Sequence, residues 1–302
     1  PCIACLQGCV ANMYAGNPVC CLTNPFLGHE AETLEKAEEP KKVMVIGGGV
    51  AGLSAAFIAK ERGHEVTLYE AGDVLGGNMR LAAYPPGKGD ITNMIRSYIH
   101  RCQKDGVKIV MNCEVTPELI KEEKPDSVII ATGSKTLILP IEGIDNPAII
   151  HGSDLLDGKR AAGKKVLVVG GGMVGCETAA FLGEQEHDVT VIEFRDTVGA
   201  DVIHEHRVYL MKDFEDYGIK EITGAKVCKF YEDGVEYETA DGVRHESRGY
   251  DSVILSMGFR NYNPLEEKIK DLVPETHVIG DAIRARRALD ATKEAYDVAS
   301  QI

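Results

Sequence analysis

The chain has 302 residues, enough for two domains with separate buried cores. Its 33 Lys and Arg stand against 47 Asp and Glu, a formal charge of -14 that argues against nucleic acid or an anionic membrane as partner. No run approaches the roughly 20 apolar residues of a membrane helix, and no signal-peptide pattern opens the chain, so a cytoplasmic protein is expected.

Five of the nine cysteines fall in the first 21 residues: Cys2, Cys5, Cys9, Cys20 and Cys21. A disulfide scaffold would be short and evenly stapled, so metal ligation accounts for the group better. Four thiolates suit zinc or an iron–sulfur centre. Zinc sites usually bring two separated pairs, whereas Cys2, Cys5 and Cys9 close together with Cys21 further on are nearer a [4Fe–4S] pattern. Gly8 and Gly16 allow the sharp backbone this needs, and Cys21 is preferred to Cys20 as fourth ligand. The polar residues 28–41 read as a short helix or linker.

Val43–Ile46 is an apolar strand, followed by Gly47, Gly49 and Gly52 in a GxGxxG turn, a helix, a second strand and Glu70, 18 positions past the third glycine. That context predicts a dinucleotide site, with the pyrophosphate at the helix start and the acid on a ribose hydroxyl. Gly76 and Gly77 form a second glycine pair on the next loop. Ile91 to Cys102 is an amphipathic helix, Val107 to Met111 a strand, and Asp126 to Gly133 a buried strand ending in the small-residue turn Ala131-Thr132-Gly133.

Residues 165–193 repeat the opening: Gly170, Gly172 and Gly175 form the turn, and Glu193 again lies 18 positions past the third glycine. A whole supersecondary unit at identical spacing is an internal repeat. Two dinucleotides are expected, one resident and one exchanging. Glu193 would repel a 2′-phosphate and favours NADH over NADPH at this turn, with Arg195 nearby pulling the other way. Asp201 to Tyr217 reads as helical, Ala225 to Arg248 as a β-meander with a turn at Glu232-Asp233-Gly234, and Tyr250 to Gly258 echoes the strand before Gly133. Thr276 to Asp281 is a short strand ending in Gly280-Asp281, before a last helix from about Ala288. His64, His151 and His204 read as structural or surface histidines, and no catalytic triad or paired carboxylates appear.

The order of these motifs resembles the C-terminal half of the NADH:flavin oxidoreductases, the group of 2,4-dienoyl-CoA reductase, 2-enoate reductase and trimethylamine dehydrogenase. The stretch CIACLQGC…CLTNP is similar to their [4Fe–4S] segment, whose fourth cysteine precedes Leu-x-Asn-Pro, which selects Cys21. The resemblance implies cluster ligands Cys2, Cys5, Cys9 and Cys21. It implies FAD on Gly47, Gly49, Gly52, Glu70, Gly77, Thr132, Gly133 and Asp281, with Val50, Ala51, Ala71, Gly76, Asn78, Ala131 and Gly280 alongside. The nicotinamide coenzyme falls on Gly170, Gly172, Gly175 and Glu193, with Met173, Val174 and Gly258. Asn78 stands where members commonly carry glutamine.

The implied fold is α/β: two Rossmann-like domains in a glutathione-reductase-like arrangement, the second inserted in the first. The expected divisions are 1–30 for the cluster segment, 31–41 for a linker, 42–150 and 261–302 for FAD, and 151–260 for NAD(P)H. Members begin with a TIM barrel that binds FMN and holds the substrate. This chain starts at Pro1 without an initiator methionine, which reads as a piece of a longer protein, with the barrel on the same or another chain and homo-oligomerisation left open. The implied activity is electron transfer from NADH through FAD and the cluster to FMN, which reduces a C=C bond. The alternative is a free-standing NAD(P)H:acceptor reductase. A thioredoxin-reductase type of dithiol enzyme is disfavoured, because the remaining cysteines are lone.

Overall fold

The computed structural model describes residues 1–32 and 34–302. Thr33, inside the segment read as a linker, lies outside the described residues. In chain order, a short helix α1 (Val10–Tyr14) interrupts the cysteine loop, and β1 (Lys42–Ile46), α2 (Val50–Glu61) and β2 (Glu65–Tyr69) follow. Next come α3 (Asn78–Leu81), α4 (Asp90–Lys104), β3 (Lys108–Val110), α5 (Pro117–Glu123), β4 (Ser127–Ile130) and β5 (Ser134–Thr136). The middle of the chain forms β6 (Ile150–His151), α6 (Gly152–Leu156), β7 (Lys165–Val169), α7 (Met173–Glu184), β8 (Asp188–Ile192), α8 (His204–Asp216) and β9 (Lys220–Ile222). A meander of β10 (Lys226–Tyr231), β11 (Gly234–Glu238) and β12 (Arg244–Ser247) leads to β13 (Ser252–Leu255) and β14 (Phe259–Asn261). The chain ends with α9 (Glu266–Ile269), β15 (Glu275–Val278) and α10 (Ala288–Ala299).

Two units divide this chain: residues 1–83, 90–135 and 260–302 form one, and residues 84–89 and 136–259 the other. The division falls after Lys135 rather than after residue 150. The reason is pairing: β6 lies parallel to β13, and Glu142 bridges to Lys229, so this stretch joins the second sheet. Residues 28–41, read as a short helix or linker, carry no helix among the described residues.

Among the described residues the first unit holds a five-stranded parallel sheet in the order β15-β4-β1-β2-β3. β1 is a continuous apolar run because both its faces are covered. Val43 and Val45 point into one core cluster with α2, α4 and α10, while Met44 and Ile46 point into another with β4 and α9. The period-2 alternation of strand side chains makes this split. Helix α2 is buried along Val50–Ala59 because sheet and helices enclose it, so its sequence is apolar all round rather than striped.

The second unit repeats the plan with a parallel sheet in the order β6-β13-β7-β8-β9 and an antiparallel β10-β11-β12. Val166 and Val168 face α7 and α8, and Leu167 and Val169 face the meander. The strand read as Val107 to Met111 is confined to Lys108–Val110. The helix read from Asp201 begins at His204, because Gly199 takes a left-handed φ of +62° and Asp201 is engaged elsewhere. Among the described residues no helix is long and apolar enough to cross a membrane.

Candidate functional site

The first turn is built by contacts only glycine permits. Gly47 has φ +109°, and a Cβ there would sit 2.3 Å from the Ala131 carbonyl oxygen. A Cβ on Gly52 would lie 1.9 Å from the Gly47 carbonyl oxygen, so α2 packs directly on the turn. Glu70 Oε2 accepts the Gly48 N–H at 2.7 Å. The Gly76-Gly77 loop closes back: Gly49 and Gly76 form a parallel bridge, and the Gly76 N–H donates to the Gly48 carbonyl at 2.8 Å.

The chain's return reaches the same place. Gly280 packs so closely on α2 that a Cβ would approach the Ala51 Cβ to 3.0 Å. Asp281 Oδ2 accepts the Ser134 hydroxyl at 2.8 Å, and the Asn78 amide donates to that hydroxyl at 3.3 Å. Thr132 donates its hydroxyl to the Tyr262 carbonyl, and Gly133, at φ +75°, has open space where a side chain would be. Val50 and Ala51 form the first turn of α2, and Ala71, next to Glu70, is exposed.

The second turn reproduces the glycine contacts of the first and its glutamate bond. Gly170 has φ +107°, with the Ser256 carbonyl 2.4 Å from its ideal Cβ, and Gly175 stands in the same way 1.8 Å from the Gly170 oxygen. Glu193 Oε2 accepts the Gly171 N–H at 2.6 Å, and the Gly199 N–H donates to the Gly171 carbonyl at 2.7 Å. Met173 and Val174 begin α7 beyond the N-cap Gly172. The Met173 N–H donates to Asp201 Oδ1 at 2.9 Å. Gly258, at φ +100°, accepts the Leu137 N–H at its carbonyl and has open space at its ideal Cβ.

Sequence reading missed the pair beside this turn. Glu177 is buried on α7 and forms an ion pair with Lys88, of the Pro85-Pro86-Gly87-Lys88 turn. Burial pushes the Glu177 carboxyl above its ordinary range, and Lys88 opposes that shift. A signal was there: Glu177 is the one charged residue in the run Met173–Gly183. Asp201 carried a signal too, standing at the same distance beyond Glu193 as Asn78 beyond Glu70.

The cysteine segment belongs to the first unit and is pinned to it by apolar side chains. Leu22 is fully buried in the core of α2, α4 and α10. Its carbonyl accepts the Tyr98 hydroxyl at 2.6 Å. Phe26 packs against Phe57 and Tyr296, and the Arg101 guanidinium lies over both Phe26 and Phe57. Ala4 and Leu6 take left-handed φ of 50° and 54° on either side of Cys5, a conformation that costs non-glycine residues energy and collects at functional loops. The Ala4 N–H donates to Cys2 Sγ at 3.3 Å, and a backbone hydrogen bond from Gln7 reaches Cys5.

Burial raises the Cys5 thiol, and the charges of Cys21, Cys9 and Cys2 raise it further. These three and Cys5 are the four cysteines of the expected set. Cys20 faces elsewhere: its sulfur accepts from Asn12, Lys293 opposes the rise that burial imposes on it, and its carbonyl presses on Gly8. Among the described residues no three of His, Cys, Asp or Glu converge closely enough to hold a single metal ion.

A model of the pyridine nucleotide-disulphide oxidoreductase family matches residues 41–277. The chain belongs to this family. Its two Rossmann units are those with which this family binds FAD and NAD(P)H. It is 34% identical to a cinnamate reductase of Clostridium sporogenes, over 100% of this chain and 45% of the relative. It is 34% identical to an NADH oxidase of Thermoanaerobacter brockii, over 100% of this chain and 47% of that one. A solved 2-naphthoyl-CoA reductase, in complex with 2-naphthoyl-CoA, superposes with a TM-score of 0.94 at 32% identity, covering 100% of this chain and 46% of its own. These agree with the resemblance to the NADH:flavin oxidoreductases, and the chain spans about half the length of the relatives it matches.

The family is named for disulfide chemistry, yet the cysteines in the two nucleotide units are separate thiols. Cys102 and Cys176 are buried, and burial pushes each up to about 12. At neutral pH they are protonated packing residues rather than nucleophiles.

Proposed function

We propose that this chain is the electron-input part of an NADH-dependent flavin and iron–sulfur oxidoreductase. The observation that carries the reading is the cysteine segment's anchorage. Leu22, Phe26 and Tyr98 fasten it to the helices of the unit that holds the first glycine turn. An electron carrier held by Cys2, Cys5, Cys9 and Cys21 would share a rigid core with the flavin site.

When bound, FAD would accept hydride from NADH and release electrons singly, and a [4Fe–4S] cluster would carry them one at a time toward FMN on a TIM-barrel domain that reduces a C=C bond. The residues of this chain supply placement. The open first turn, with Glu70 fixed on Gly48 and the Asn78–Ser134–Asp281 chain beside it, fits a resident dinucleotide. The second turn, with Glu193 fixed on Gly171, would take the exchanging NADH, its acid disfavouring a 2′-phosphate. N–H groups aimed at Cys2 and Cys5 would stabilise charge on sulfur and tune a cluster's potential.

The test is anaerobic addition of NADH to the purified protein. The proposal predicts bleaching of the flavin followed by a reduced-cluster signal in electron paramagnetic resonance. A flavin that NADH does not bleach, or a bleached flavin with no iron signal, contradicts it.

A further inference from the structure

The two turns agree in their glycine contacts and glutamate bond and part at one position. Glu70 and Glu193 are each followed, at the same separation, by Asn78 and Asp201. In the first copy the neutral Asn78 amide turns to Ser134, at 3.3 Å from its hydroxyl and 3.4 Å from its carbonyl oxygen. In the second copy the Asp201 carboxylate turns onto the start of α7 and accepts the Met173 N–H at 2.9 Å. Its two oxygens lie 3.5 and 3.6 Å from where a side chain on Gly172 would begin.

The segment that carries Asp201 is fastened to the turn. The Gly199 N–H bonds to the Gly171 carbonyl, Val198 is buried, and Arg207 donates to the Thr197 hydroxyl at 2.8 Å and to the Val198 carbonyl at 3.1 Å. Asp201 is thus held where the structural repeat places it, and its charge faces the helix start.

A dinucleotide pyrophosphate accepts from these same helix-start N–H groups. One N–H cannot serve a carboxylate and a phosphate fully at once, and two anions at that distance repel. We propose that Asp201 is a built-in competitor of the coenzyme pyrophosphate: it caps α7 while no dinucleotide is bound and gives way when one binds. It thereby weakens coenzyme binding at the second turn and speeds release of spent coenzyme. A resident cofactor has no use for such a group, and the first turn carries a neutral amide in its place. The inference rests on the second turn being the NADH site.

The experiment is calorimetric titration of ADP-ribose, which carries the pyrophosphate without the redox ring, into the purified flavin-bearing protein. The expected result is tighter binding by Asp201→Ala, by roughly three- to thirtyfold, the range of a lost helix cap. Asp201→Asn, which keeps the size and one acceptor oxygen, falls between this and the wild type and decides the matter if the alanine variant does not fold. Asp196→Asn, on the same segment, gains less than about twofold. Unchanged or weaker binding by the Asp201 variants, or an equal gain from Asp196→Asn, overturns the proposal. Failure of the wild type and every variant to bind ADP-ribose removes the NADH reading of the turn, and the proposal with it.

Discussion

Glu70 and Glu193 hold their own turns by the same bond. Oε2 of each accepts the N–H of the turn's middle glycine, Gly48 at 2.7 Å and Gly171 at 2.6 Å. The second oxygen of each accepts the N–H two residues on, from Gly72 at 2.7 Å and Arg195 at 3.1 Å. Each carboxylate is oriented by backbone donors, and an oxygen with two lone pairs can still accept a ribose hydroxyl. The internal repeat is therefore one of hydrogen bonds as well as glycine spacing.

Glu193→Ala should narrow the preference for NADH over NADPH. A carboxylate that accepts a 2′-hydroxyl repels a 2′-phosphate, and its loss is expected to lower the ratio of kcat/KM values by roughly tenfold. Parallel kinetics with both coenzymes and a dye acceptor measure this. An unchanged ratio would assign coenzyme choice to another group.

Two glycines should respond in opposite ways. Gly175→Ala would put a methyl carbon 1.8 Å from the Gly170 carbonyl oxygen, backbone that cannot yield without moving α7. The cost is expected to be at least about 3 kcal/mol, visible as a lowered Tm or failed expression. At Gly49 an added Cβ meets nothing within 4 Å. Gly49→Ala should therefore still fold, yet lose bound FAD on gel filtration, because the second glycine of a GxGxxG turn lets the pyrophosphate approach.

What could be read in advance, and what could not, follows from the range of the forces. Gly47, Gly52 and Glu70 are constrained by contacts inside one strand–turn–helix–strand unit, so their spacing announced them. The ion pair of Lys88 with Glu177 joins residues far apart in sequence, and nothing local to Pro85-Pro86-Gly87-Lys88 points to its partner. The division after Lys135 depends on the pairing of Ile150 with Ile254, which no local pattern shows. Asp201 reads naturally as a helix start. Its use as a cap for α7 required knowing where the loop folds.

The Lys88–Glu177 pair makes a pH-dependent prediction. Burial raises the Glu177 carboxyl, so the folded state keeps the proton at a pH where the unfolded chain has lost it. That contribution is complete below the ordinary glutamate range and is lost as pH rises through the raised folded value. Lys88→Met removes the group that opposes the shift and leaves a buried carboxylate unpaired, at an expected cost of about 3 kcal/mol near neutral pH. The loss should shrink toward about pH 5, and Lys88→Met with Glu177→Met should recover most of it. Denaturant melts at both pH values would show this; a deficit independent of pH would count against the buried charge as its cause.

Cys20 and Cys21 are adjacent, yet only Cys21 is among the sulfurs that act on Cys5. Cys21→Ser is expected to abolish bound iron while FAD stays, and Cys20→Ser to retain the iron. The opposite pattern in iron assays of the two purified variants would reverse the assignment.

In the proposed function one chain joins a flavin to an iron–sulfur cluster. Iron, zinc and flavin analysis of the anaerobically purified protein tests it most directly. About four iron atoms per chain are expected, with FAD released on denaturation. Zinc in place of iron, with no flavin, would contradict it.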